Sequence, residues 1–95
     1  MIKDFLIINC TGKNDSIALK IDSKFFFRKL QTNLIKNEML ALNIFTFLKE
    51  NNVKINNKFS FIVNSGPGSF SGIRIALAVV KGIKLVNKVN IYSYN

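Results

Sequence analysis

The stretch that decides the fold is Asn64-Ser65-Gly66-Pro67-Gly68-Ser69-Phe70-Ser71-Gly72-Ile73-Arg74-Ile75-Ala76-Leu77-Ala78. Ahead of it, Phe59-Ser60-Phe61-Ile62-Val63-Asn64 reads as a strand. Behind it, apolar residues recur at helical spacing from about Ser71 to Asn87. A strand therefore runs through a Gly-Pro-Gly turn into a helix. Glycine admits backbone angles and close approaches that a Cβ would block. Ser69 or Ser71 can cap the helix by accepting a hydrogen bond from an unpaired N–H. The N-terminus of such a helix carries partial positive charge and spare donors. The loop lacks the Gly-Lys-Ser/Thr ending of a P-loop and the spacing of the dinucleotide fingerprint. Two readings stay open: a tight turn that packs helix against sheet, or an anion contact made by Gly66, Pro67, Gly68, Ser69, Phe70, Ser71, Gly72 and Arg74.

Outward from this elbow, the order of elements is legible. Phe5-Leu6-Ile7-Ile8 is a short apolar run, as in a buried central strand. Thr11-Gly12-Lys13-Asn14-Asp15 carries turn chemistry. Ser16 to Ile21 alternates, with Ile17, Leu19 and Ile21 on one face. Asp22-Ser23-Lys24 is a hairpin connection, and Lys24 to Leu30 is a third strand whose charged end places it at an edge. From about Asn33 to Asn51 the period changes: Ile35, Met39, Leu42, Phe45 and Leu48 recur at three and four, as on an amphipathic helix. Leu40, Ile44 and Phe47 form a second set around the same cylinder, so this helix is apolar on more than one stripe. Val89-Asn90-Ile91-Tyr92 is a fifth strand. Two hairpins followed by strand–helix–strand crossovers predict an α/β fold: a five-stranded mixed sheet, three antiparallel strands and then two strand–helix units, with two helices packed on it. The same order occurs in the ribonuclease-H-like lobe of actin-like and sugar-kinase-like ATPases.

Composition narrows the chemistry. The 95 residues suffice for one domain, and the formal net charge is +9. Twelve of the fourteen basic residues are Lys, and there are thirteen Asn and thirteen Ile. That bias is what an AT-rich genome writes at tolerant positions, and the lysines are spread along the chain rather than clustered. With no His, Ser-His-Asp and Cys-His catalysis within the chain are excluded, and one Cys without His makes no zinc site. No catalytic or metal-ligating residue is therefore assigned. Cys10 reads as a small apolar strand residue; Asp15 and Glu38 are lone carboxylates with no visible partner for acid–base work. A lone Cys suits the cytoplasm, and no apolar run approaches the ~20 residues of a membrane span.

The second helix is the other informative element. On a helical wheel Ser71, Arg74, Lys81, Lys84 and Lys88 share a polar stripe of roughly 140°. Ile75, Ala76, Val79, Val80, Ile83 and Val86 lie on the remaining arc. This is more apolar surface than a sheet alone covers in so small a domain. Either the two helices bury each other, or a partner covers the surplus, with Ala76, Ala78 and Gly82 letting another helix approach closely.

The stretch GPGSFSGIRIALAVVKGI resembles the signature of the TsaB family, usually read as GPGSFTG followed by an (I/V)R(I/L) helix. Gly66, Pro67, Gly68, Ser69, Phe70, Gly72, Ile73 and Arg74 match it, Ser71 stands where Thr is usual, and Lys81-Gly82 continues the match. Leu6 to Thr11 and Ser16 to Leu19 resemble the family's first hairpin, usually LxxDT(S/A), a turn, then (C/S)VAL. Asn9 stands where Asp is usual, and an amide is a weaker metal ligand than a carboxylate.

The resemblance implies a single lobe over residues 1–95, the first of the family's two, with the second absent from this chain. It implies a non-catalytic scaffold that supports threonylcarbamoyl-adenosine formation in tRNA. Its two helices would dock on a TsaD-type catalytic subunit or on a second copy, through Met39, Leu42, Phe45, Ile75, Ala78, Val79, Gly82 and Val86. A TsaE-type ATPase would be a further partner, and tRNA would be met indirectly. The chain would need no cofactor of its own, with ATP entering only through the partner. Two other readings stand beside it. One is an ATP-binding lobe of the sugar-kinase or actin-like class. The other is a basic RNA-binding module, for which Phe25, Phe26 and Phe27 beside Arg28 and Lys29 would be the stacking surface. Phenylalanines at strand positions are more often core.

Overall fold

A computed structural model describes residues 3–12, 14–30 and 37–94, the side chains of residues 37 and 38 excepted. Five strands form one sheet: β1 (Asp4–Asn9), β2 (Ser16–Ile21), β3 (Lys24–Lys29), β4 (Phe59–Asn64) and β5 (Asn90–Tyr94), in the order β3-β2-β1-β4-β5. β1 is antiparallel to β2 and β2 to β3, whereas β4 runs parallel to both β1 and β5. The apolar run lies in the central strand and the charged one at an edge, as the sequence predicts. Asp22 and Ser23 both take positive φ, 50° and 67°. That is the two-residue hairpin geometry whose twist matches the flanking strands.

The helices are α1 (Asn37–Glu50) and α2 (Phe70–Asn87). The expected start of the first helix near Asn33, with Ile35, lies outside the described residues. Side chains alternate across a sheet. Leu6, Ile8, Ile17, Leu19, Phe61 and Val63 all point to one face, where they form a single core with Leu40, Ile44, Phe47 and Leu48 of α1 and Ala76, Val80 and Ile83 of α2. Each large side chain so removed from water contributes about 1.5–3 kcal/mol. Both helices therefore lie on this face. α2 covers β1, β4 and β5, and α1 packs beside it, its C-terminal half reaching β3. There Arg28 pairs with Glu50 and sits 5.1 Å from the Phe47 ring centre.

Several expectations need correction. On α1 Leu48 parts from the first apolar set: it is buried with Leu40, Ile44 and Phe47, while Met39, Leu42 and Phe45 are exposed, as the docking surface expected of them requires. Ala76 is buried on the sheet and cannot receive another helix. Phe25 and Phe27 are not core. They are 71% and 69% exposed, because β3 turns them to the face opposite the helices. α2 begins at Phe70 and β5 extends to Tyr94, slightly beyond the expected bounds. α2 stops at Lys88, whose left-handed backbone (φ 54°) returns its N–H to the carbonyl of Lys84.

Candidate functional site: the elbow and the helix pair

The elbow is built against the end of β1. A Cβ on Gly68 would strike the backbone of Thr11, and one on Gly72 would strike the carbonyl oxygen of Cys10. The Ser69 N–H donates to the Thr11 carbonyl at 2.5 Å. Ser69 Oγ in turn accepts from the Gly72 N–H at 3.2 Å, so Ser69, not Ser71, caps α2. The glycines at 68 and 72 thus answer a packing need: α2 starts in backbone contact with the sheet. The Gly66–Pro67 peptide is cis.

Around this junction the polar side chains bond to one another. Asn9 Oδ1 accepts from the Thr11 hydroxyl (2.9 Å), the Thr11 N–H (3.3 Å) and Asn64 Nδ2 (3.3 Å). Asn64 Oδ1 accepts from the Gly66 N–H at 3.1 Å. Asp15 is buried and accepts from the Gly12 N–H at 2.8 Å, a structural contact within the turn. Burial, and secondarily the nearby Asp15 charge, push the Cys10 thiol up to about 12. The thiol is thereby held neutral and unreactive. Among the described residues, no group of three Cys, Asp or Glu side chains comes together in a way that could hold a metal ion.

Of the other loop residues, Phe70 is 74% exposed, and the Arg74 guanidinium lies 5.7 Å from its ring centre. Arg74 and Ser71 do not turn toward β1. With Ile75 and Ala78 they line a shallow cavity of about 300 Å³ on the outer side of α2.

The helix residues singled out from sequence converge further along. Phe45 of α1 and Ala78, Val79, Gly82 and Val86 of α2 line one groove of about 490 Å³, closed by Ala41, Ile83 and Asn87. Met39 and Leu42 are exposed on α1 outside it. The sequence reading missed Leu85, which is 88% exposed beside an 80% exposed Val86. Its signal was there: on the helical wheel Leu85 falls inside the polar stripe, between Arg74 and Ser71. A Cβ added to Gly82 would meet nothing within 4 Å, so no contact within the described chain explains a glycine there. In mid-helix it costs about 1 kcal/mol relative to Ala. The helices do touch, yet they leave a ridge and groove of apolar side chains in water. No described helix is long and apolar enough to cross a membrane.

No protein-family model matches the chain. It is 37% identical over 87 residues to "tRNA threonylcarbamoyladenosine biosynthesis protein TsaB" of Buchnera aphidicola, a match covering 90% of this chain and 38% of that protein. Two solved structures share its fold at a TM-score of 0.84 and 20% identity. They are YeaZ from Pseudomonas aeruginosa and an uncharacterised protein described as similar to the peptidase YeaZ from that organism. Each is matched over 98% of this chain and 43–44% of its own length. The chain thus spans well under half of these relatives. The agreement of sequence and fold marks it, over that span, as a TsaB-type chain with the ribonuclease-H-like architecture.

Proposed function

We propose that this chain serves threonylcarbamoyl-adenosine formation in tRNA as a non-catalytic subunit that docks through its α1/α2 face on a TsaD-type catalytic partner or on a second copy. One observation carries the docking reading. Leu85 and Val86 stand 88% and 80% exposed beside a glycine, Gly82, that nothing in the described chain requires. A contiguous exposed apolar surface on a small domain marks an interaction site. A glycine facing outward on such a helix admits a partner backbone at close range, as small residues do wherever helices pack tightly. The similarity to the Buchnera TsaB supports the pathway.

Co-purification tests it. Wild-type chain co-elutes with a TsaD-type subunit or self-associates in size-exclusion chromatography. Val86→Asp, which changes a solvent-exposed side chain, abolishes that association while leaving the circular dichroism spectrum unchanged. Full association by the variant contradicts the assignment.

A further inference from the structure

Lysines that lie far apart in sequence come together in the fold. Strand register brings Lys24, Lys3, Lys58 and Lys88 to one end of the sheet, the end away from the elbow. Lys24 opens β3 opposite Ile21, the last residue of β2. Lys3 and Lys58 directly precede Asp4 and Phe59, which are paired. Lys88 lies two residues before Asn90, whose partner Ser60 lies two residues after Lys58. Lys3, Lys58 and Lys88 therefore stand side by side ahead of three adjacent strands. With Lys24 they span about 19 Å at 4.7–4.9 Å per strand. Two more lysines reach the same end: Lys20 Nζ donates to the Lys3 carbonyl at 3.4 Å, and Lys84 Nζ to the Val89 carbonyl at 3.1 Å.

No described carboxylate neutralises this row. Asp4 and Asp22 lie at the same end, but Asp4 Oδ1 accepts from the Asp22 N–H at 3.3 Å, and neither forms an ion pair among the described residues. Asp15 is buried at the opposite end of the sheet, and Glu50 is paired with Arg28. Like charges held side by side repel, so the row favours an anionic occupant. Lys3, Lys24, Lys58 and Lys88 are all exposed. The side chains that accompany them are amides: exposed Asn57 precedes Lys58, and exposed Asn90 donates to the Asn57 carbonyl at 3.2 Å. Lysines with neutral polar neighbours hold a phosphate backbone and read no base. A basic surface that enters a membrane instead carries an apolar face beside its charges, which Lys3, Lys58 and Lys88 lack.

We infer that this lysine row binds the phosphate backbone of an RNA, independently of base sequence. The inference rests on the reading that the chain serves tRNA modification, and adds to it a direct contact with nucleic acid. The test follows the full chain and a fluorescein-labelled, unmodified tRNA transcript by fluorescence anisotropy, between about 50 and 200 mM salt. The logarithm of the affinity falls against the logarithm of salt with a slope of about −3, as for three to four neutralised phosphates. Lys58→Gln combined with Lys88→Asn weakens binding roughly fivefold or more and makes the slope shallower by about 2. Asparagine suits the left-handed backbone at position 88, and circular dichroism confirms the fold. Lys29→Gln combined with Lys49→Gln, an equal loss of charge beside the Arg28–Glu50 pair, leaves affinity within about twofold. Val86→Asp, on the docking face, binds the RNA as the wild type does, and the lysine variants co-elute with the TsaD-type subunit as the wild type does. The two assignments therefore fail separately. No binding of the RNA, binding without salt dependence, equal losses in the two lysine pairs, or binding of phosphatidylserine vesicles in place of RNA overturns the inference.

Discussion

Gly72 and Cys10 touch through their backbones: the first turn of α2 rests on the carbonyl oxygen at the end of β1, with no room for a Cβ between them. This contact fixes where α2 crosses the sheet, and hence where its outer residues point. Gly72→Ala forces helix and strand apart and is expected to destabilise the chain by about 2–3 kcal/mol, as overpacking does. Urea denaturation checks it. A loss below about 0.5 kcal/mol would mean that the elbow yields without strain.

Ser69 holds the same junction from the side chain, accepting the Gly72 N–H. Ser69→Ala removes the cap and should cost about 1 kcal/mol, whereas Ser69→Asp should retain most of the stability because a carboxylate also accepts at a helix N-terminus. The same denaturation series separates the two.

Cys10 supplies a pH test. Its thiol titrates near 12 in the folded chain against a reference of 9.0, chiefly through burial. The folded state therefore binds the proton more tightly than the unfolded state. The contribution is fully present below pH 9 and is lost as pH rises from about 9 toward 12. Lysines and tyrosines titrate in the same range, so the measurement is the stability difference between wild type and Cys10→Ala. That difference should shift against the wild type between pH 8 and 10.5 and stay flat between pH 6 and 8. In the native state at pH 8 a thiol reagent should label Cys10 far more slowly than in urea.

The succession of strands along the chain, with β1 central and β3 at an edge, was legible because each strand carries a distinct pattern. Phe5–Ile8 is uniformly apolar, Ser16–Ile21 alternates, and Lys24–Lys29 is charged at its end. The facing of α1 was not. Met39, Leu42 and Phe45 recur at helical spacing as regularly as Leu40, Ile44 and Phe47, and only the position of α2 decides which set is buried. Likewise Phe25, Phe26 and Phe27 offer no alternation of polarity, so the register with Ala18 and Lys20 had to show which of them leave the core. The glycines of the elbow were visible, but their contacts, Cys10 and Thr11, lie more than fifty residues away in sequence. The surplus apolar surface on α2 was foreseen for Val79, Gly82 and Val86. Leu85 went unnoticed because it falls inside the polar stripe.

Gly82 gives the most direct test of the docking face. With open space around its Cβ position, Gly82→Ala should raise the stability of the isolated chain by about 0.5–1 kcal/mol. If a partner helix packs on that spot, the same methyl group should weaken association at least tenfold. The measurement is paired: urea stability of the chain alone, and affinity for the TsaD-type subunit or for itself by sedimentation. Opposite signs are the predicted result. Tighter or unchanged association in the stabilised variant would contradict a partner at this face.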